Sequence, residues 1–224
     1  MDPELEIVYK RKRLDMVRTQ IESRGVRNPL VLEAMRTVPR HKFIPSDLID
    51  QAYEDRPLSI GYNQTISQPY IVAYMTQALR LTGGEKVLEV GTGLGYQAAV
   101  LSCIAREVYT VERLGPLLEQ AQRKLQEQDY NNVYCKKADG TLGWPEMAPF
   151  EAIIVTASGP NVPDALKQQL AQGGRLVMPV GKYRLGQYIT RFTRGSHGNF
   201  HEEKLLDVAF VPLVGEQGWP DSNY

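Results

Sequence analysis

Three acidic residues and one glycine run hold the residues of this chain best suited to chemistry. Glu89 stands two residues ahead of Gly91 in Val87-Leu88-Glu89-Val90-Gly91-Thr92-Gly93-Leu94-Gly95-Tyr96-Gln97. Glu112 lies 21 residues beyond Gly91, and Asp139-Gly140 follows later. Glycines let a backbone come close to a ligand, and a helix that starts there adds free N–H donors. A carboxylate at the position of Glu89 repels a pyrophosphate and suits a ligand that carries positive charge. Each acid also has a plainer reading. Glu89 could favour a helix start, Glu112 could pair with Arg113 at the surface, and Asp139 could serve a turn with Gly140.

The flanking patterns say what positions these residues. From Glu85 onward, strand-like and helix-like stretches alternate. Strands are expected at Lys86–Val90, Glu107–Val111, Val133–Lys137, Phe150–Thr156 and Arg175–Pro179. Helices are expected at Tyr96–Ile104, Leu114–Gln128 and Pro163–Leu170. That alternation predicts an α/β fold with a doubly wound, mostly parallel sheet. Gln187–Thr193 and Leu205–Leu213, joined by a polar turn around Gly195–Gly198, predict an antiparallel C-terminal strand pair. The first 81 residues read as helical: Pro3–Ser23 stopped by Gly25, Pro29–Met35, and Tyr70–Leu81 entered through Pro69. The expected organisation is one domain: a helical cap over 1–81, a cofactor-binding core over 82–181, and C-terminal strands and tail over 182–224.

In such a sheet, ligands sit beyond the carboxyl ends of the strands. Glu89, Glu112 and Asp139 all fall at strand ends there. Glu112 is placed to take ribose hydroxyls, and Asp139 an exocyclic amine of adenine. Gly93-Leu94-Gly95-Tyr96-Gln97-Ala98 also satisfies the dinucleotide pattern, so NAD competes with S-adenosylmethionine. The negative surroundings favour the latter, which carries a sulfonium and an ammonium and no phosphate.

Composition narrows the partners. The 224 residues carry 26 Lys+Arg and 26 Asp+Glu, so no net field draws the chain to nucleic acid or membrane. The basic run Lys10-Arg11-Lys12-Arg13 reads as a solvated helix face. No apolar run approaches the ~18 residues of a membrane span, and the N-terminus does not read as a signal peptide. A cytoplasmic monomer is expected. Cys103 and Cys135 form no CxxC and read as buried, reduced thiols. His41, His197 and His201 read as scattered surface or capping residues, and no metal site is expected.

Gly61-Tyr62-Asn63-Gln64-Thr65-Ile66-Ser67-Gln68-Pro69-Tyr70-Ile71-Val72-Ala73 resembles the T-I-S-Q-P-Y-I-V-A signature of protein-L-isoaspartate O-methyltransferases. The Val87–Leu101 segment resembles that family's cofactor loop. Ala148–Ala157, Gly173–Gly181 and Phe210–Leu213 match further blocks, so the likeness runs from about Met16 to Leu213. Asn63 and Ser158-Gly159-Pro160 depart from the common pattern.

The resemblance implies a class I S-adenosylmethionine-dependent fold and methyl transfer to the free α-carboxylate of L-isoaspartyl residues. Damaged peptides and proteins are then the substrates, and S-adenosylhomocysteine the product. It implies Ser67 as the catalytic residue. Thr65, Ile66 and Ser67, with Glu89, Gly91, Thr92, Gly93, Glu112, Arg113, Asp139 and Gly140, are implied at the cofactor. Ser67 and the stretch Val211, Pro212 and Leu213 are expected at the substrate. A carboxylate of pKa about 4 is already ionised at neutral pH, so the reaction needs no general base. The plainer reading of Ser67 is an N-cap for the helix that follows. The rival functions are methyl transfer to another acceptor, an NAD-dependent oxidoreductase, and cofactor binding without catalysis.

Overall fold

The computed structural model describes residues 3–181 and 186–221. Met1 and Asp2, used in reading the N-terminus, and the expected boundary at 182 lie outside them. Helix α1 (Pro3–Met16) opens the chain. The expected single helix to Ser23 does not continue. It widens into a π turn over Val17–Ile21 and tightens into a 3-10 turn over Glu22–Arg24, ending at Gly25 with φ +94°. The wider turn keeps Val17 and Ile21 inward, both fully buried, while Thr19 donates its hydroxyl back to Asp15 O at 2.7 Å. Helix α2 (Pro29–Thr37) is capped by Asn28, whose side chain accepts from Leu30 N and Val31 N.

A hairpin that the sequence reading passed over comes next. Strands β1 (Leu58–Gly61) and β2 (Gln64–Ile66) pair antiparallel around Tyr62 and Asn63. Both turn residues have positive φ, 53° and 57°, the requirement of a two-residue hairpin turn of this hand. Helix α3 (Pro69–Ala78) follows at once.

Beyond it lie β3 (Lys86–Val90), α4 (Tyr96–Ser102), β4 (Glu107–Glu112), α5 (Gly115–Gln126), β5 (Val133–Lys137), β6 (Phe150–Val155), α6 (Asp164–Gln169), β7 (Leu170–Gly181), β8 (Gln187–Arg194) and β9 (Phe200–Val208). The last seven strands form one sheet in the order β5-β4-β3-β6-β7-β8-β9. Pairings from β5 to β7 are parallel, and β8 and β9 join antiparallel. The expected fold is therefore present. Alternate residues feed the two faces: Ala152 and Ile154 pack with α4 and the N-terminal helices, Ile153 and Val155 with Leu166 and Phe192.

The final strand is a correction. The sequence reading placed it at Leu205–Leu213; it spans Phe200–Val208. Pro212 has no N–H to give a ladder, and residues 209–213 leave the sheet edge. They cross to the loop after β6, where Ser158 N donates to Val211 O and Leu213 N to Ser158 O, both at 2.8 Å.

Two side-chain expectations also fail. Cys103 ends α4 on the exposed side, and Cys135 is half-buried on an edge strand. His41 is not a surface residue; it is 1% exposed, stacks on Tyr9 at 4.3 Å, and its Nδ1 lies 2.7 Å from the Tyr53 hydroxyl. Burial pushes its pKa down, against a smaller upward pull from Glu6. A folded-state pKa below the unfolded value gives stability that is present above about pH 6.5 and lost as pH falls. The drop in melting temperature between about pH 7.5 and about pH 5.5 is therefore expected to shrink in His41→Gln. An unchanged drop would remove His41 from the acid sensitivity of the fold.

Candidate active site

The sheet order reverses at β3, so the chain leaves β3 and β6 in diverging directions and opens a crevice at their carboxyl ends. A pocket there is lined by Ile60, Thr65, Gly91, Gly93, Glu112, Arg113, Gly140, Thr156 and Val211 to Val214. A small inner chamber beside it touches Thr65, Ile66, Ser67, Thr92 and Thr156. Outside lies a cleft of about 540 Å³ between the β2–α3 connection and the segment that leaves β9, with Thr65, Ser67, Gln68, Asp207 and Val211 on its walls. Thr65 borders all three spaces, Ser67 borders chamber and cleft, and Val211 borders pocket and cleft.

The glycine loop is held by its own neighbours. Gly91, Gly93 and Gly95 all have positive φ. A Cβ on Gly91 would collide with the Thr156 hydroxyl, which donates to Gly91 O at 2.9 Å. Glu112 anchors the loop from the next strand: Oε2 accepts from Gly93 N and Oε1 from Leu114 N, each at 3.0 Å. Glu112 thus lines the pocket as a fixed acid and is 8% exposed. Arg113 lies beside it and pairs outward with Asp221 at 3.2 Å.

Glu89 is elsewhere than on the wall. It is fully buried beneath the loop, where Thr110 donates to Oε2 at 2.5 Å and Oε1 has no hydrogen-bond partner among the described residues. Thr92 continues this chain, with its hydroxyl 2.6 Å from that of Thr110. Burial, with the repulsion of Glu112 added, pushes the Glu89 carboxyl up to about 8. No cation neutralises it among the described residues.

Asp139 is drawn to the C-terminal segment. Its Oδ1 accepts from the amide and the hydroxyl of Thr141, and Oδ2 accepts from Glu216 N at 2.8 Å. One acceptor direction is left on Oδ2. Gly140 lines the pocket, and a Cβ there would strike Val90. The expected ring of three acids is therefore one lining acid, one acid underneath, and one that ties down the tail.

Ser67 is half-buried and its hydroxyl has no hydrogen bond among the described residues. The capping reading fails for it: the N-cap of α3 is Gln68, and no side chain caps that helix. The Ser67 carbonyl accepts from Nη2 of Arg40 at 2.8 Å. Arg40 is fully buried, its Nε bonds Ala52 O at 2.8 Å, and its guanidinium lies 4.7 Å from the ring of Tyr96. Burial lowers its pKa to about 10, which leaves it charged at neutral pH.

Along Val211–Leu213, the Val211 carbonyl, the Leu213 amide and the Leu213 carbonyl are engaged within the chain. Val211 N–H and the Pro212 carbonyl have no hydrogen bond among the described residues. Ile60, Arg40 and Thr156 were missed in the sequence. The alternation Leu58-Ser59-Ile60 before a short turn was the available signal for Ile60. Arg40 sits between a proline and a histidine in a polar run, and nothing there marks it as buried. Among the described residues, no group of three His, Cys, Asp or Glu is placed to hold a metal ion.

Comparison with known proteins places this geometry. Residues 11–218 match the family model described as Protein-L-isoaspartate(D-aspartate) O-methyltransferase (PCMT). The chain is 54% identical over 211 residues to Protein-L-isoaspartate O-methyltransferase 1 of Rhodopseudomonas palustris (strain HaA2), covering 94% of this chain and 86% of that one. It is 52% identical over 213 residues to the protein-L-isoaspartate O-methyltransferase of Dictyoglomus turgidum, covering 95% and 96%. A solved protein-L-isoaspartate O-methyltransferase superposes with a TM-score of 0.82 at 28% identity, over 93% of this chain and 67% of that one. The fold is shared with a Plasmodium falciparum structure solved with S-adenosyl-L-homocysteine, at TM-score 0.78 and 24% identity over 89% of this chain and 96% of that one. With a family match over nearly its whole length and relatives more than half identical, the chain belongs to the protein-L-isoaspartate(D-aspartate) O-methyltransferase family.

Proposed function

We propose that this protein transfers a methyl group from S-adenosylmethionine to the free α-carboxylate of L-isoaspartyl residues in damaged peptides and proteins. The methyl ester then gives way to a succinimide, which starts repair. The observation that carries this reading is the placement of Ser67 where the inner chamber meets the open cleft, in a chain of this family.

The residues at the crevice fit the cofactor. A buried carboxyl at Glu89 that has no cationic partner among the described residues, and a fixed acid at Glu112, suit a cation. Gly91 and Gly140 leave room that a side chain would fill. Gly91, Thr92 and Gly93 form the loop against the cofactor, with Thr65, Ile66 and Ser67 facing it from the hairpin. Glu112 takes the ribose hydroxyls with Arg113 alongside, and Asp139 and Gly140 stand at the adenine. When bound, the cofactor supplies an electrophilic methyl on a sulfonium.

The protein's part is placement. Holding an ionised carboxylate in line with the methyl can be worth about 7–11 kcal/mol. Opposite charges merge in this transition state, so a water-poor chamber favours it. Ile60, Ile66, Val72 and Leu94 supply apolar walls. The Ser67 hydroxyl, a neutral donor without a partner of its own, orients the carboxylate without neutralising it. The peptide lies along the cleft, where Val211 N–H bonds its main chain, while Pro212 and Leu213 continue the same segment along the cofactor pocket; main-chain capture suits a broad range of flanking sequences.

The single domain divides into a cap over 1–81, a cofactor core over 82–181 and C-terminal strands and tail over 182–224. We place it in the cytoplasm as a monomer, without nucleic-acid or membrane partners. The balanced charge supports this, and no helix of the described residues is long and apolar enough to cross a membrane.

Labelled S-adenosylmethionine offered with an isoaspartyl peptide and its normal aspartyl twin is expected to label the first alone. Equal labelling of both would end the proposal. Ser67→Ala is expected to lower kcat by at least about tenfold, with cofactor affinity little changed. Wild-type kinetics in that variant would take Ser67 out of the mechanism.

A further inference from the structure

The cleft poses an electrostatic problem. It receives a peptide carboxylate, yet the one ionisable side chain among its described lining residues is Asp207, which repels that group. Positive charge has to come from behind the wall. Arg40 is placed there. It is fully buried, has no carboxylate within ion-pair distance among the described residues, and its Nη1 has no hydrogen-bond partner. An unpaired cation in a protein interior is costly to hold. The contacts that hold it include two backbone carbonyls, Ala52 O and Ser67 O, and the face of Tyr96, with Tyr53 nearby.

The Ser67 contact has a direction. Among the described residues, Ala148-Pro149 alone is cis, so the Ser67–Gln68 peptide is trans. Its C=O and N–H therefore point opposite ways. The carbonyl points at the buried guanidinium, so the Gln68 N–H points away from it, out of the protein interior. Gln68 lines the cleft beside Ser67, and its N–H has no partner among the described residues. A cation on the oxygen of a peptide group draws electron density toward itself and makes the N–H a stronger donor. Helix α3 begins one residue on without a side-chain cap, which adds positive potential on the same wall.

We infer that Arg40 is the fixed positive charge that holds the substrate carboxylate at Ser67, acting through the Ser67–Gln68 peptide group, with the Gln68 N–H as a second donor beside the serine hydroxyl. This rests on the reading of the cleft as the isoaspartyl site. Arg40 touches no substrate and is a positioning residue. One peptide group separates it from the carboxylate, so it aids binding while leaving the carboxylate nucleophilic.

The test uses two probes that differ in charge: an isoaspartyl peptide and the same peptide with an α-carboxamide in place of the α-carboxylate. Both are titrated by calorimetry into protein saturated with S-adenosylhomocysteine. In Arg40→Gln, binding of the acid is expected to weaken on the order of tenfold, with the carboxamide and S-adenosylhomocysteine changed less than about twofold. Arg40→Lys, which keeps the charge, is expected to retain most of the preference for the acid. A merely structural role for Arg40 would weaken both probes alike, and that result overturns the inference.

Should Arg40→Gln fail to fold, Gln68→Pro decides the matter. Its φ of −51° at this position suits proline, and the change deletes the proposed donor. The acid preference is expected to fall in Gln68→Pro and to persist in Gln68→Ala; a preference unchanged in both overturns the inference. A protein that methylates isoaspartyl peptides but shows no such loss refutes this inference alone. A protein that methylates none refutes the proposed function.

Discussion

A carboxyl group that the fold buries without a cationic partner is the constraint around which the site is arranged. Glu89 sits under the glycine loop with one oxygen on Thr110 and the other without a partner. A hydrophobic residue of similar size would give a more stable core, since isolated charge in a low dielectric is strongly disfavoured. The fold tolerates it because the carboxyl keeps its proton at neutral pH, with its pKa raised to about 8, and the loop above is held independently: Gly93 N and Leu114 N bond Glu112, and Thr156 bonds the Gly91 carbonyl. A cation brought over that loop relieves the burial that raises the Glu89 pKa. Glu89 gains by ionising beneath a cation and offers a pyrophosphate no counter-charge, and Glu112 lines the same pocket, which favours the sulfonium cofactor of the two classes that the glycine pattern alone left open.

Arg40 is the counterpart behind Ser67, over the ring of Tyr96. A buried acid, protonated until a cation arrives, lies beneath the glycine loop, and a buried cation stands behind Ser67; neither has an ionic partner among the described residues. The two reacting groups have the opposite pair of charges. Their charges vanish as the methyl moves, so the protein gains most by bringing them together and gains little from acid–base chemistry. That agrees with a site whose histidines are elsewhere: His41 is packed under α1, and His197 and His201 lie on the exposed β8–β9 hairpin.

How far the sequence disclosed this depends on the length of each pattern. Lys86–Val90 and Val133–Lys137 were read to the residue because each is a β-rich run bounded by turn residues and set between helical patterns, which makes the alternation of strand and helix a consistent signal. The β1–β2 hairpin went unread because its strands have four and three residues and its turn uses Tyr62-Asn63 in place of glycine. The break in the first helix depends on which residues the core pulls inward, and local spacing does not record that. Asp139 was recognised as a site residue, but its hold on Glu216, 77 positions away, is a tertiary fact. Arg40 and His41 were out of reach for the same reason. Their charged neighbours suggest a surface, and only the packing of α1 and the Ala52 loop makes them interior.

The central claim is that Glu89 meets the cofactor's positive charge. It is tested most directly by counting protons. With its pKa at about 8 in the free protein, Glu89 is largely protonated at neutral pH. A cation placed over it lowers that pKa, so binding must expel the proton and tighten as pH rises toward 8. Calorimetric titration of S-adenosylmethionine at about pH 7, in two buffers of different ionisation enthalpy, is expected to show close to one proton released per molecule bound, and far less in Glu89→Gln. Tight binding with no proton released by the wild-type protein would contradict the account.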